Sequence, residues 1–389
     1  MELSQRVSSL KGSVTLALAA AAKEMAASGR DVINMAVGEP DFDAPRLARE
    51  AAIAAVESGA VKYTPAAGLN SLRQTVARHL QESRGVPYEA ENVVICHSAK
   101  HALSHALLAL VDPGDEVLLL NPAWSSYSSQ VKLVGGVPVQ VEPLADGTCA
   151  PDFEALRAAI SGATKGIMFN SPSNPSGYVW SRREVEELAA ICVEHDLWMI
   201  SDEIYGRLVF DGAEHVSPAS VSEAMRARTI LVDGASKVFA MTGYRMGYLA
   251  ASPDLARTVG NLQSQVSGCP NYISQRAFEA CLNEEPEEVE GMIATFDRRR
   301  RIIVEGLERL GLKAPQPKGA FYAFPDLSDR FDERGSAGFC ADLLEAEALA
   351  TVPGDAFGAP RHIRLSYALG EEQLVEALAR LERFLRSRP

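Results

Sequence analysis

From Leu69 to Gly354 the chain alternates stretches of helical periodicity with short apolar or β-branched runs, and this rhythm restricts the fold more than any other feature. The runs include Val93–Cys96, Glu116–Leu120, Gly166–Phe169, Trp198–Ile200, Thr229–Val232 and Tyr248–Ala251. Strand, helix and strand in succession require crossover connections, so the pattern predicts βαβ units and a mostly parallel sheet with helices on both faces. A further strand-like stretch, Val32–Ala36, leads into the turn-rich Gly38-Glu39-Pro40-Asp41-Phe42. At 389 residues the chain exceeds one ordinary core. The acidic stretch Glu284–Glu290 and the run Arg298–Arg301 open a long helix, which places the boundary of a smaller α+β domain near Asn283.

Charge and cysteine usage narrow the partners. With 38 basic and 51 acidic residues the net charge is −13, which opposes attraction to nucleic acid and anionic membranes and favours a small-molecule partner. Six scattered cysteines (Cys96, Cys149, Cys192, Cys269, Cys281, Cys340) form no C-x-x-C pair and read as reduced, cytoplasmic thiols. Arg6 and Lys11 before the apolar run Val14–Ala22 imitate a secretory leader. Lys23 and Glu24 follow at once, and the segment fits an N-terminal helix stopped at Gly29 better than a cleavage site.

In open α/β sheets ligands bind beyond the carboxyl ends of the strands. Five polar clusters lie there: His97-Ser98-Ala99-Lys100, Asn121-Pro122-Ala123-Trp124, Asn170-Ser171-Pro172-Ser173-Asn174-Pro175, Ser201-Asp202-Glu203 and Asp233-Gly234-Ala235-Ser236-Lys237. A lone lysine after a strand is usually solvated, but a partly desolvated amine near cations has a lowered pKa and attacks carbonyls. Lys237 has that context, with Ser236 beside it and Arg245 eight residues on, both suited to a phosphate. Asp202 reads either as a helix cap or as a buried carboxylate for a protonated ring nitrogen, with Tyr205 three residues later. Asn174 is a turn residue that can also face a ligand, and Trp124 suits packing and ring stacking equally. His97, His101 and His105 have ligand-like spacing but no accompanying metal motif, so no metal is expected. Ser8-Ser9-Leu10-Lys11 matches an S-x-x-K pattern without its companions and is set aside. Arg298–Arg301 is expected to form a solvated helix face.

Taken together, the segments resemble class I aminotransferases of the pyridoxal-phosphate (PLP) fold-type I superfamily, in particular the bacterial aspartate aminotransferase branch. The resemblance spans nearly the whole chain and rests on Gly38-Glu39-Pro40-Asp41-Phe42, Lys62-Tyr63-Thr64-Pro65-Ala66-Ala67-Gly68, Asn170 through Gly177, Ser201-Asp202-Glu203-Ile204-Tyr205, Ser236-Lys237, Ala240-Met241-Thr242-Gly243-Tyr244-Arg245, Gly319-Ala320-Phe321-Tyr322 and Ile363-Arg364-Leu365-Ser366. It implies an α/β fold with a large PLP-binding domain over residues 46–283, a small α+β domain over 284–389, and a segment 1–45 packing with the small domain. It implies a ping-pong transaminase in which Lys237 holds PLP as a Schiff base and shuttles the substrate's α-proton, and Asp202 keeps the ring nitrogen protonated. Tyr205 and Asn174 would bond the ring oxygen and Trp124 would stack on the ring. Ser98, Ala99, Lys100, Ser236 and Arg245 would cradle the phosphate at a helix N-terminus, joined by Tyr63 from the neighbouring subunit of a homodimer. Arg364, helped by Gly38 and Asn174, would grip the α-carboxylate.

The stretch Ser264–Tyr272 lacks the second arginine of the animal-type aspartate enzymes. Lys100 and Thr15 match positions that the bacterial branch associates with dicarboxylic substrates, so aspartate and 2-oxoglutarate are the first expectation. Lys11 matches a position linked to prephenate. Departures from the family pattern are Asp233-Gly234 ahead of the lysine, His101, Ala123, Ser125 and Asn271-Tyr272. The alternatives are an aminotransferase of other specificity and a PLP β-lyase. A noncatalytic sensor domain of a transcription regulator is disfavoured by the acidic charge.

Overall fold

The computed structural model describes residues 4–8, 12 and 14–387. Seven strands form the central sheet: β1 (Val93–Cys96), β2 (Glu116–Leu120), β3 (Val137–Val141), β4 (Thr164–Asn170), β5 (Trp198–Asp202), β6 (Thr229–Gly234) and β7 (Gly247–Ala250). Their order is β1-β7-β6-β5-β4-β2-β3, with β7 antiparallel to both neighbours and every other pairing parallel. The fold is the α/β class expected. Strand β3 was not among the runs singled out in the sequence. It pairs only with β2, and Pro138 is tolerated at that edge.

Alternate residues of each central strand enter different cores, as the period of two requires. Val117, Leu119, Met168, Ile200 and Val232 pack with Leu103 and Leu107 of helix α3 (Ala99–Leu110). Ile167, Phe169 and Met199 face Val185 and Leu188 of helix α4 (Arg182–Glu194), and Leu231 and Tyr248 face Leu72, Val76 and Leu80 of helix α2 (Asn70–Arg84). Burial on both faces explains why these strands read as continuous apolar runs.

The N-terminal helix α1 (Val14–Ala27) ends just before Gly29, whose φ of +94° suits a residue without a side chain. The stretch Val32–Ala36 supplies a strand at Ile33–Asn34 only, paired in parallel with Leu349–Ala350. Beside it, Tyr322–Ala323, Ile363–Ser366 and Val352–Pro353 make an antiparallel sheet. Helices α7 (Glu287–Arg309) and α8 (Glu371–Ser387) cover this region, meeting where a side chain at Gly306 would strike Leu378. Helices α5 (Pro253–Val266) and α6 (Tyr272–Asn283) precede them.

The arginine run on α7 corrects an expectation. Four successive helical residues turn through about 300°, so they cannot share a solvated face. Arg298 and Arg301 are exposed, while Arg299 and Arg300 are buried. Arg299 donates to both oxygens of Asp41 at 2.6 and 2.8 Å, and Arg300 pairs with Asp297 and Asp211. The run ties α7 to the Gly38–Phe42 turn.

Candidate active site

The strand ends open on a cavity of about 500 Å³. Gly38, Ser98, Ala99, Lys100, Trp124, Asn174, Asp202, Tyr205, Ser236, Lys237, Arg245 and Arg364, brought from separate segments, all line it. Tyr63 does not. Its side chain is 98% exposed, free for contact with another chain. Lys11 lies outside the described residues, as does the side chain of Thr15 on α1.

Lys237 follows β6, and its Nζ donates to the carbonyl of Gly38 at 2.6 Å. Burial lowers its pKa to about 8, opposed by Glu39 and Asp202 and reinforced by Arg364 and Arg245. About a tenth of such an amine is neutral at pH 7, far more than of an ordinary lysine, and the neutral form is the carbonyl-attacking nucleophile. Thr242 closes the rim with a hydrogen bond to Glu39.

Asp202 ends β5 and is followed by a turn, not by a helix, so it caps none. Its Oδ2 accepts from Tyr127 Oη at 2.7 Å and its Oδ1 from the amide of Ile204 at 3.3 Å. Burial raises its pKa to about 6, with those two donors holding it lower than burial alone would. Beyond the turn, Tyr205 and Tyr322 share a hydrogen bond between their hydroxyls at 2.8 Å. Tyr127 and Tyr322 both line the cavity. Neither was assigned a role from the sequence; the signal for Tyr127 was its place three residues after Trp124 in the same turn.

At one end of the cavity, Ser98 caps α3 by accepting from the amide of His101 at 3.3 Å. The amides of Ala99 and Lys100 open the helix and have no acceptor within it, the usual condition for binding an anion. This loop lies so close to β7 that a side chain at Gly247 would meet Ala99 N. Arg245, at φ +54°, anchors its guanidinium on the carbonyl of Thr242 at 2.7 Å. Lys100 Nζ sits 4.6 Å from the centre of the Trp124 ring, and burial together with Arg245 lowers its pKa.

At the other end Arg364 is 2% exposed. It donates to Asn174 Oδ1 at 3.0 Å and to the carbonyl of Ala36 at 2.7 Å, with its guanidinium 4.5 Å from the Tyr322 ring centre. Its Nε is buried without a partner, a donor in want of an acceptor. Gly38 has to be glycine, because a side chain there would strike the Tyr322 hydroxyl.

The family model for class I and II aminotransferases matches residues 30–381. The chain belongs to that family. Aspartate aminotransferase of Geobacillus stearothermophilus is 41% identical over the full length of both chains, and the aspartate/prephenate aminotransferase of Thermus thermophilus is 42% identical over 98% of each. Among solved structures, aspartate aminotransferase from Thermus thermophilus with maleate superposes with a TM-score of 0.95 at 40% identity, over 99% of this chain and all of that one. This aminotransferase therefore acts on amino acids and 2-oxo acids with PLP as its cofactor. The residues fit that group: an amine of lowered pKa, free helix-terminal amides and a buried carboxylate surround one cavity, and the close approach at Gly247 leaves the amides clear.

The departures from the family pattern do not line the cavity within one chain. Asp233, His101, Ala123, Ser125, Asn271 and Tyr272 line no part of this chain's cavity. Asn271 caps α6 by accepting from Ser274 N at 2.9 Å. The His101 ring lies tilted against that of His105, with ring centres 4.0 Å apart. Asp233, expected to add an acid beside the phosphate, points to the other face of the sheet.

Proposed function

We propose that this aminotransferase moves an amino group from L-aspartate to 2-oxoglutarate by a ping-pong mechanism, in active sites shared across a cytoplasmic homodimer. One observation carries the substrate class: two cations, Lys100 against Trp124 and Arg364 against Tyr322, line one cavity, as two carboxylates on one substrate require. Relatives named for aspartate, and a superposable relative solved with the dicarboxylate maleate, support it. Thr15 would assist Lys100, and relatives named for prephenate make that oxo acid the second acceptor to try.

When bound, PLP supplies an aldehyde that takes up the amino group and a ring that withdraws electrons. The remaining work falls to the protein. Lys237 would add its neutral amine to the aldehyde carbon with loss of water, and, once released, would take the proton from the substrate α-carbon and return it at the cofactor's C4′. Asp202, held by Tyr127, would pair as an anion with the ring nitrogen. Tyr205 and Asn174 would bond the ring oxygen, and Trp124 would pack on the ring. The amides of Ala99 and Lys100, with Ser98, Ser236, Arg245 and the neighbouring subunit's tyrosine at position 63, would hold the phosphate. Arg364 takes the α-carboxylate with its free Nε and an NH group, with Gly38 and Asn174 shaping the approach. We place the PLP-binding domain at residues 46–283 and the small domain at 284–389, with residues 1–45 packing on the latter.

The test is the visible spectrum of the holoenzyme before and after L-aspartate is added without an oxo acid. Loss of the yellow absorbance supports aspartate as donor; persistence with aspartate and loss with another amino acid discards it.

A further inference from the structure

The back of the sheet holds an ion cluster that the cavity chemistry does not use. Side chains alternate along a strand, so Asp202 faces the cavity while Glu203 and Asp233 project from the opposite face. Arg84, the last residue of α2, reaches both: its guanidinium donates to Glu203 Oε2 at 2.5 Å and to Asp233 Oδ2. All three are buried. Glu203 also accepts from His215 Nε2 at 2.9 Å, Ser217 Oγ at 2.7 Å and Ser201 Oγ at 2.9 Å, and Asp233 from the amide of Gly234. Tyr248, His79 and Arg207 line the crevice around Asp233. Arg84 further lies beside Gly206, in the turn that follows Asp202, where an added side chain would come within 3.0 Å of it.

Two carboxylates in low dielectric next to Asp202 repel its charge, and one guanidinium bridging both cancels much of that repulsion. The electrostatics agree: Asp233 and Glu203 each push the pKa of Asp202 up, and Arg84 holds Glu203 down at about 2 against its burial. We propose that Arg84 is a positioning residue for transamination, which bridges Glu203 and Asp233 behind the sheet and so keeps the Asp202–Tyr205 turn in place and Asp202 ionised. The inference rests on the proposed pairing of Asp202 with the cofactor's ring nitrogen.

The experiment titrates the visible absorbance of the holoenzyme with pH in Arg84→Met, Asp233→Asn, the double variant and Asp202→Asn, with apo-protein titrated with PLP for affinity. Losing the positive charge makes the site hold protons more tightly, so Arg84→Met raises the absorbance midpoint by roughly one pH unit, as for one charge removed from a partly desolvated site. Asp233→Asn removes a negative charge and lowers the midpoint, and the double variant returns towards wild type. PLP affinity falls roughly tenfold in Arg84→Met. A purely structural role moves both single variants the same way, and that result, or no movement in either, overturns the proposal. If Arg84→Met does not fold, the direction of the shift in Asp233→Asn and its reversal in the double variant decide the matter. A midpoint unchanged in Asp202→Asn defeats the ring-nitrogen pairing itself; movement there without movement in the Arg84 and Asp233 variants defeats only the role of Arg84.

Discussion

The two ends of the cavity are both built for anions and are built differently. The end beside α3 draws on backbone amides, a capping serine, Ser236 and the solvent-facing Arg245. The end beside Tyr322 depends on one fully buried guanidinium, whose NH1 and NH2 groups each already donate once, to Asn174 and Ala36. A seat made of many donors tolerates the loss of any one, whereas a seat made of a single buried side chain does not. The first arrangement suits a resident anion and the second a visitor that has to be released each cycle.

The largest expected effect comes from the group between the two ends. Lys237→Ala should lower turnover by a thousandfold or more, since proton transfer alone contributes roughly 10²–10⁴-fold, while PLP still binds noncovalently. Wild-type turnover in this variant would remove Lys237 from the mechanism. The same lysine predicts a pH dependence: apo-protein should recombine with PLP at a rate that is half-maximal near pH 8 and levels above it, because only the neutral amine attacks. Next comes the single-donor end. Arg364→Leu should cost about 2–5 kcal/mol in kcat/KM, roughly 30-fold to several thousandfold, for every amino-acid substrate alike. At the many-donor end Arg245→Gln should weaken PLP affinity by only about tenfold, measured by titration of apo-protein. Equal losses at both ends would break the contrast. Lys100→Ala sharpens it: aspartate should lose roughly tenfold to a hundredfold more kcat/KM than alanine, and matching losses would remove Lys100 from the distal carboxylate.

Much of this was legible in the sequence, for physical reasons. Strands buried on both faces are uninterrupted apolar runs, and the rule that ligands sit beyond their carboxyl ends located Lys237, Asp202 and Ser98. Edge strand β3 was overlooked because Val137-Pro138-Val139-Gln140-Val141 mixes polar and proline residues that only an edge permits. The arginines of α7 were misjudged because charge alone does not tell which helical face is buried; the carboxylate partner of Arg299, Asp41, lies 258 residues away. The same distance problem hid Arg84, whose partners sit on β6 and just beyond β5, and Tyr127, whose hydroxyl meets Asp202 across 75 residues.

Tyr127 gives the smallest and most selective test. Its hydroxyl is one of two groups that hold the pKa of Asp202 below what burial would impose. Phenylalanine keeps the ring against Trp124, at 5.5 Å and nearly perpendicular, and deletes only the donor. A hydrogen bond to a charged carboxylate of about 1.5–3 kcal/mol corresponds to roughly one to two pKa units. Removing it favours the protonated acid, so the pH at which Asp202 loses its charge moves upward. Below that pH the ring nitrogen lacks its anion and activity falls. Tyr127→Phe should therefore shift the acidic limb of the kcat/KM profile up by that amount while leaving the plateau above the limb within about twofold of wild type. A limb that stays in place would mean that the Ile204 amide and the ion cluster behind the sheet together sustain the charge on Asp202 without help from Tyr127.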